Sequence, residues 1–99
     1  MSQYGKQFEK ALAAELRAEK ARRNITEYDI AQQLGIHRVS VSRYFSGARS
    51  IPLATFADLC RTLDLDTLEI VSKAEVAAKK ELKRQAADPS SSEGTQQGA

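Results

Sequence analysis

The chain has 99 residues, 41% of them hydrophobic, with 15 Lys and Arg against 13 Asp and Glu for a net charge of +2. That length suits one small domain with a single modest core and excludes a multidomain enzyme. There is no run of 18 apolar residues, and the opening MSQYGKQFEK lacks the apolar stretch of a secretory signal, so a soluble cytoplasmic protein without a membrane partner is expected.

Phe8, Leu12 and Leu16, with Ala11 beside them, recur at helical spacing among strong helix formers, and Asn24 suits the left-handed residue that ends a first helix. Thr26 then reads as an N-cap with Asp29 as its capping-box partner, and the stripe Ile30, Ala31 and Leu34 predicts a short second helix that stops at Gly35. A third helix runs from His37 to about Phe45 and ends near Gly47. Pro52 opens a fourth, in which Phe56, Leu59, Cys60 and Leu63 share one face. Cys60 is the only cysteine and His37 the only histidine. Cys60 therefore reads as a core thiol, and neither a metal cluster nor any cofactor is expected.

Asp66 with Glu69 repeats the cap signal, and a fifth helix extends through LEIVSKAEVAAKKELKRQAA toward Pro89. Leu65, Leu68 and Val71 are expected to finish the core. Beyond them the helix is either a solvated extension held by pairs such as Glu75 with Lys79 at i, i+4, or a contact with a second copy through the mostly small stripe Val71, Ala74, Ala78 and Leu82. In the second case truncation after Ser72 would leave the domain folded. The last eleven residues, PSSSEGTQQGA, are too polar to order themselves and predict a disordered tail. No segment alternates with period two for long enough to make a sheet. The fold class is all-α, with a domain over 1–72, a helical extension over 73–88 and a tail over 89–99.

Charge is unevenly distributed. Residues 1–25 hold six Lys or Arg against three acids, and residues 26–53 hold Arg38, Arg43 and Arg49 against Glu27 and Asp29. Residues 54–72 reverse the balance, with Arg61 facing Asp58, Asp64, Asp66 and Glu69. Residues 73–88 return to five bases against three acids.

At 100° per residue, the third helix separates into two arcs. His37, Val41, Tyr44 and Phe45 fall on one, and Arg38, Val39, Ser42, Arg43 and Ser46 on the other. The second arc has the chemistry of a helix in a DNA major groove: arginine donates two bonds to guanine, serine bonds bases or phosphate, and an aliphatic group meets a thymine methyl. A solvated polar face would look similar, and the connection to the second helix separates the two. Ala31 is small enough for a close helix crossing, Gly35 can take the left-handed turn, and Val41 packs a β-branched side chain beneath the third helix.

With these residues in place, ITEYDIAQQLGIHRVSVSRYFSGARSIPLATFADLCRTLDLD resembles the Cro and phage-repressor-like helix-turn-helix family, also called the XRE family, over about residues 12–70. The resemblance implies a five-helix repressor-like helix-turn-helix domain with an extended C-terminal helix. It also implies a sequence-specific regulator of transcription, a repressor of phage type or bacterial, with double-stranded DNA as its partner. Carried across by position, base reading falls on Arg38, Val39, Ser42 and Arg43. Phosphate contacts fall on Thr26, His37, Ser46, Arg49 and Ser50. The sequence departs from the family at Glu27, an acid where a neutral glutamine is usual, and at His37, which stands in place of a Ser or Thr cap. It departs again at Phe45, which replaces a glutamate whose arginine partner is here Lys20, so an aromatic contact is expected instead of the ion pair. Members of the family pair on near-palindromic operators, which implies a homodimer, expected here to be weak and formed on DNA. If the C-terminal stripe makes that contact, truncation after Ser72 would remove cooperative filling of the two half-sites. The competing reading is a non-enzymatic protein-interaction or assembly module that keeps the same fold. The motifs of an enzyme are missing: there is no Gly-rich phosphate loop, no paired carboxylates on one helix face, and no catalytic partner for His37.

Overall fold

Helix boundaries in this chain are set by residues that take a left-handed turn or cap free amides. In the computed structural model, which describes residues 3–87, the order is α1 (Gln3–Arg23), α2 (Glu27–Leu34), α3 (Arg38–Ser46), α4 (Leu53–Thr62) and α5 (Thr67–Ala87). The tail expected over 89–99 lies outside the described residues, and no strand occurs among them. Asn24 leaves α1 at φ 56°, as its residue type suggests, and Asp64 makes the corresponding turn after α4 at φ 57°. The Asp29 amide donates to Thr26 Oγ1 at 3.1 Å and the Thr26 amide to Asp29 Oδ2 at 3.4 Å, closing the expected capping box at α2. Asp66 Oδ1 accepts from the amides of Leu68 and Glu69 at the start of α5. The Glu69 carboxylate does not complete a second box and instead lies 3.6 Å from Lys73.

One apolar cluster joins all five helices. Leu12 and Leu16 come from α1, Ile30 and Ala31 from α2, Val41 and Phe45 from α3, Phe56, Leu59 and Cys60 from α4, and Ile70 and Ala74 from α5. Phe8, Ala11, Leu34, Ile36 and Leu65 pack around it partly buried. Burial pushes the Cys60 thiol up, against a smaller opposing effect of its hydrogen bond with Thr67, so the side chain is a protonated core group as its sequence setting suggests. Glu19 is the one charged side chain buried among the described residues. Arg22 and Arg23, in the next turn of α1, both bond its carboxylate and hold it below the usual carboxylate range, so the charge stays compensated.

The C-terminal helix corrects two expectations. Leu68 does not finish the core: it is 80% exposed, and Ile70 takes that role at 2%. Once Asp66 fixes the start of α5, Ile70, Ala74 and Ala78 follow at i, i+4 and i+8, and Leu68 falls about 200° away from Ile70 on the outer side. The stripe assigned to a second copy is likewise covered within the chain. Ala74 and Ala78 are buried, Val71 and Leu82 half-buried, and α5 packs principally against α1. The two helices run antiparallel, with Gln3 hydrogen-bonded to Gln85 and Glu15 beside Ser72 and Val76. Small side chains at 74 and 78 let the two backbones approach closely, which is why alanines rather than leucines occupy the seam. The outer face of α5 carries the Glu75–Lys79 pair at 3.2 Å, as its spacing suggests.

Candidate nucleic-acid interface

The α2–α3 unit is built from a short capped helix, a glycine turn and a second short helix. Gly35 ends α2 in the left-handed region at φ 67°, its amide donating to the Ala31 carbonyl at 2.9 Å, and Ile36 donates to the same carbonyl at 3.2 Å. Two residues later His37 starts α3 in extended conformation, and its side chain makes no capping bond. Val41, Tyr44 and Phe45 are buried and seat the helix. His37, grouped with them by helical angle, is exposed instead, because at the N-cap it precedes the turn that packs.

The C-terminal end of α3 is held on α1. Lys20 Nζ stands 5.8 Å from the centre of the Phe45 ring, the aromatic contact expected in place of an ion pair. Arg17 adds a bond that its sequence position did not suggest, donating from Nη1 to the Phe45 carbonyl and satisfying an acceptor left open at the helix end. Gly47 then turns the chain at φ 83°, with Ala13 of α1 lying under it.

Fixing α3 by its buried arc leaves the other arc outward. Arg38, Val39, Ser42, Arg43 and Ser46 are all exposed, Val39 at 61%. Neither Arg38 nor Arg43 has an ion-pair or hydrogen-bond partner for its guanidinium among the described residues, whereas Arg22, Arg23 and Arg84 each pair with a glutamate. The face therefore offers unengaged planar donors beside an apolar methyl surface and a hydroxyl.

The residues assigned to phosphate are less uniform. Ser46 donates its hydroxyl to the Arg43 carbonyl at 3.1 Å and accepts from the Ala48 amide at 3.3 Å, so it shapes the turn after α3. Ser50 donates to Glu9 Oε1 at 2.9 Å, which places a carboxylate next to it. Arg49 lies 5.6 Å over the Tyr44 ring with its charge exposed, and its amide bonds the Arg43 carbonyl at 3.2 Å. Thr26 is occupied by the capping box but remains exposed at the mouth of a groove that also includes Lys20, Glu27 and Arg38. Tyr28 lines the same groove. Its signal was legible: it is an aromatic residue on the polar side of the α2 stripe.

A family model described as a helix-turn-helix domain matches residues 11–78. Among solved structures the chain is similar to the clp gene regulator ClgR from Corynebacterium glutamicum, at 18% identity and a TM-score of 0.71, over 80% of this chain and 84% of that one. A second crystal structure of ClgR from C. glutamicum aligns at 21% identity and a TM-score of 0.63, over 68% of this chain and 87% of that one. At those identities the likeness is one of fold. No curated protein matches the chain. The arrangement of α2, its glycine turn and α3 agrees with the matched model, and the chain belongs to the helix-turn-helix domain family.

Proposed function

We propose that the protein is a sequence-specific duplex DNA-binding regulator of transcription, acting as a repressor and reading the major groove with α3. Family membership supports the coarser part, a DNA-binding regulator, since the helix-turn-helix places its second helix in the major groove. The observation that carries the finer part is the outward face of Arg38, Val39, Ser42 and Arg43, exposed and with both guanidiniums unengaged. In this reading Arg38 and Arg43 donate to guanine edges, Val39 meets a thymine methyl, and Ser42 bonds a base or phosphate between them. Thr26, His37, Ser46, Arg49 and Ser50 lie along the backbone on either side, and Arg49 supplies the exposed charge. Two copies fill two half-sites as a weak pair formed on DNA, through a surface other than the alanine stripe of α5. The helices among the described residues include none long and apolar enough to cross a membrane.

Duplex affinity measured at several salt concentrations tests this reading against a protein-interaction module. Affinity should fall steeply, with about −0.9 in log K per log salt for each phosphate neutralised. A flat response, or no duplex binding at low salt, contradicts DNA as the partner. Arg49→Ala should lower affinity for preferred and random duplexes by the same factor and reduce the salt slope by about one unit. A loss confined to the preferred duplex would move Arg49 from the backbone to the bases.

A further inference from the structure

Tyr28, in the first turn of α2, is 57% exposed although its ring is large and apolar. It stands at the edge of the α3 reading face. Tyr28 and Arg38 together line two adjoining grooves, one floored by Ala31, Gly35 and Ile36 and the other opening toward Lys20 and Thr26. One turn along α2, Gln32 donates its side-chain amide to the Tyr28 hydroxyl oxygen at 2.5 Å. The phenol oxygen thus already has a donor, and its own proton has no acceptor among the described residues. Accepting one hydrogen bond polarises a hydroxyl toward donating another.

The surroundings select the acceptor. Lys20 and Arg38 bring positive charge to this edge. Of the nearby acids, Asp29 is engaged by the capping box, while Glu27 lines the same groove and offsets one of the two positive charges, leaving the edge net positive. A ligand here must offer an acceptor oxygen, carry negative charge and continue from whatever Arg38 reads. A backbone phosphate of duplex DNA meets all three conditions, and tyrosine hydroxyls are among the side chains that bond phosphate oxygens. We propose that Tyr28 is a DNA-contacting residue: its hydroxyl, held by Gln32, donates to the phosphate flanking the base read by Arg38, and its ring walls the Arg38 side chain. This rests on the reading of α3 as the recognition helix.

The test uses the full chain, Tyr28→Phe, and the preferred duplex recovered by selection from a random pool. Single phosphates of that duplex are replaced in turn by neutral methylphosphonates. Tyr28→Phe keeps the ring and removes only the donor, so it should bind about tenfold more weakly than the unaltered chain. Its salt slope should stay unchanged, because no cation is lost. At one phosphate position the replacement should weaken the unaltered chain and have a much smaller effect on Tyr28→Phe. Equal binding by the two proteins, or losses that add at every phosphate position, would overturn the contact while leaving the recognition helix intact. If the unaltered chain bound no duplex at all, the reading of α3 and the Tyr28 contact would fall together.

Discussion

Truncation after Ser72 is expected to unfold the chain or leave it with only residual helix, rather than to yield a stable shorter domain. The cut removes Ala74 and Ala78, both buried, along with the half-buried Leu82, and uncovers the side of α1 on which α5 packs. At roughly 25 cal/mol per Å² of apolar surface, exposing both sides of such a seam costs on the order of 5 kcal/mol. Small domains have total stabilities of about that size, so little would remain. The damage would also spread. α1 carries Lys20, Arg17 and Ala13, which brace the end of α3, so a loosened α1 releases α3 as well. Far-UV circular dichroism with denaturant titration reads this directly. A truncated chain that unfolds cooperatively at the same midpoint as the full one would show that α5 is dispensable.

Phe45→Ala should have the next largest effect, destabilising the protein by about 3–5 kcal/mol as for other buried aromatic truncations. Phe45 is 1% exposed, and its ring faces both the common core and the Lys20 ammonium. Its removal opens a cavity beneath the last turn of α3 and leaves Lys20 without an aromatic face. Phe45→Leu should recover much of the loss, because it refills most of the volume without the cation–π contact. The midpoint of denaturant unfolding checks both variants. A shift below about 1 kcal/mol for Phe45→Ala would place α3 on other supports.

The helices near the interface were legible in the sequence because their ends are specified locally. Thr26 with Asp29, Gly35 and Asn24 each act within a few residues, and the structure uses all of them as their residue types suggest. The apolar stripe of Phe56, Leu59 and Cys60 in α4, with Leu63 at its C-cap, was legible for the same reason, since a single periodic stripe with one buried side allows only one orientation. The packing of α5 was not. Its sequence offers two faces of comparable apolarity, Leu68 with Val76 and Ile70 with Ala74 and Ala78, and only the position of α1 decides which is covered. Periodicity within one segment carries no information about that partner. At the interface, the outward arc of α3 followed from helical angle alone. The Ser50–Glu9 bond joins residues 41 apart, and Arg17 meets the Phe45 carbonyl 28 residues away; neither spacing could be read from local pattern.

Arg38 and Arg43 carry the central claim that α3 reads base sequence, and the ratio of affinities for a preferred duplex and a random duplex measures it most directly. Both guanidiniums lie on the exposed arc, away from the buried Val41, Tyr44 and Phe45, so Arg38→Ala and Arg43→Ala should fold normally. Each should lose about 1–3 kcal/mol of discrimination, the worth of a bidentate arginine contact to guanine, while random-duplex binding falls much less. Preferred and random affinities falling by the same factor in both variants would contradict the account, since the two arginines would then supply charge without reading sequence.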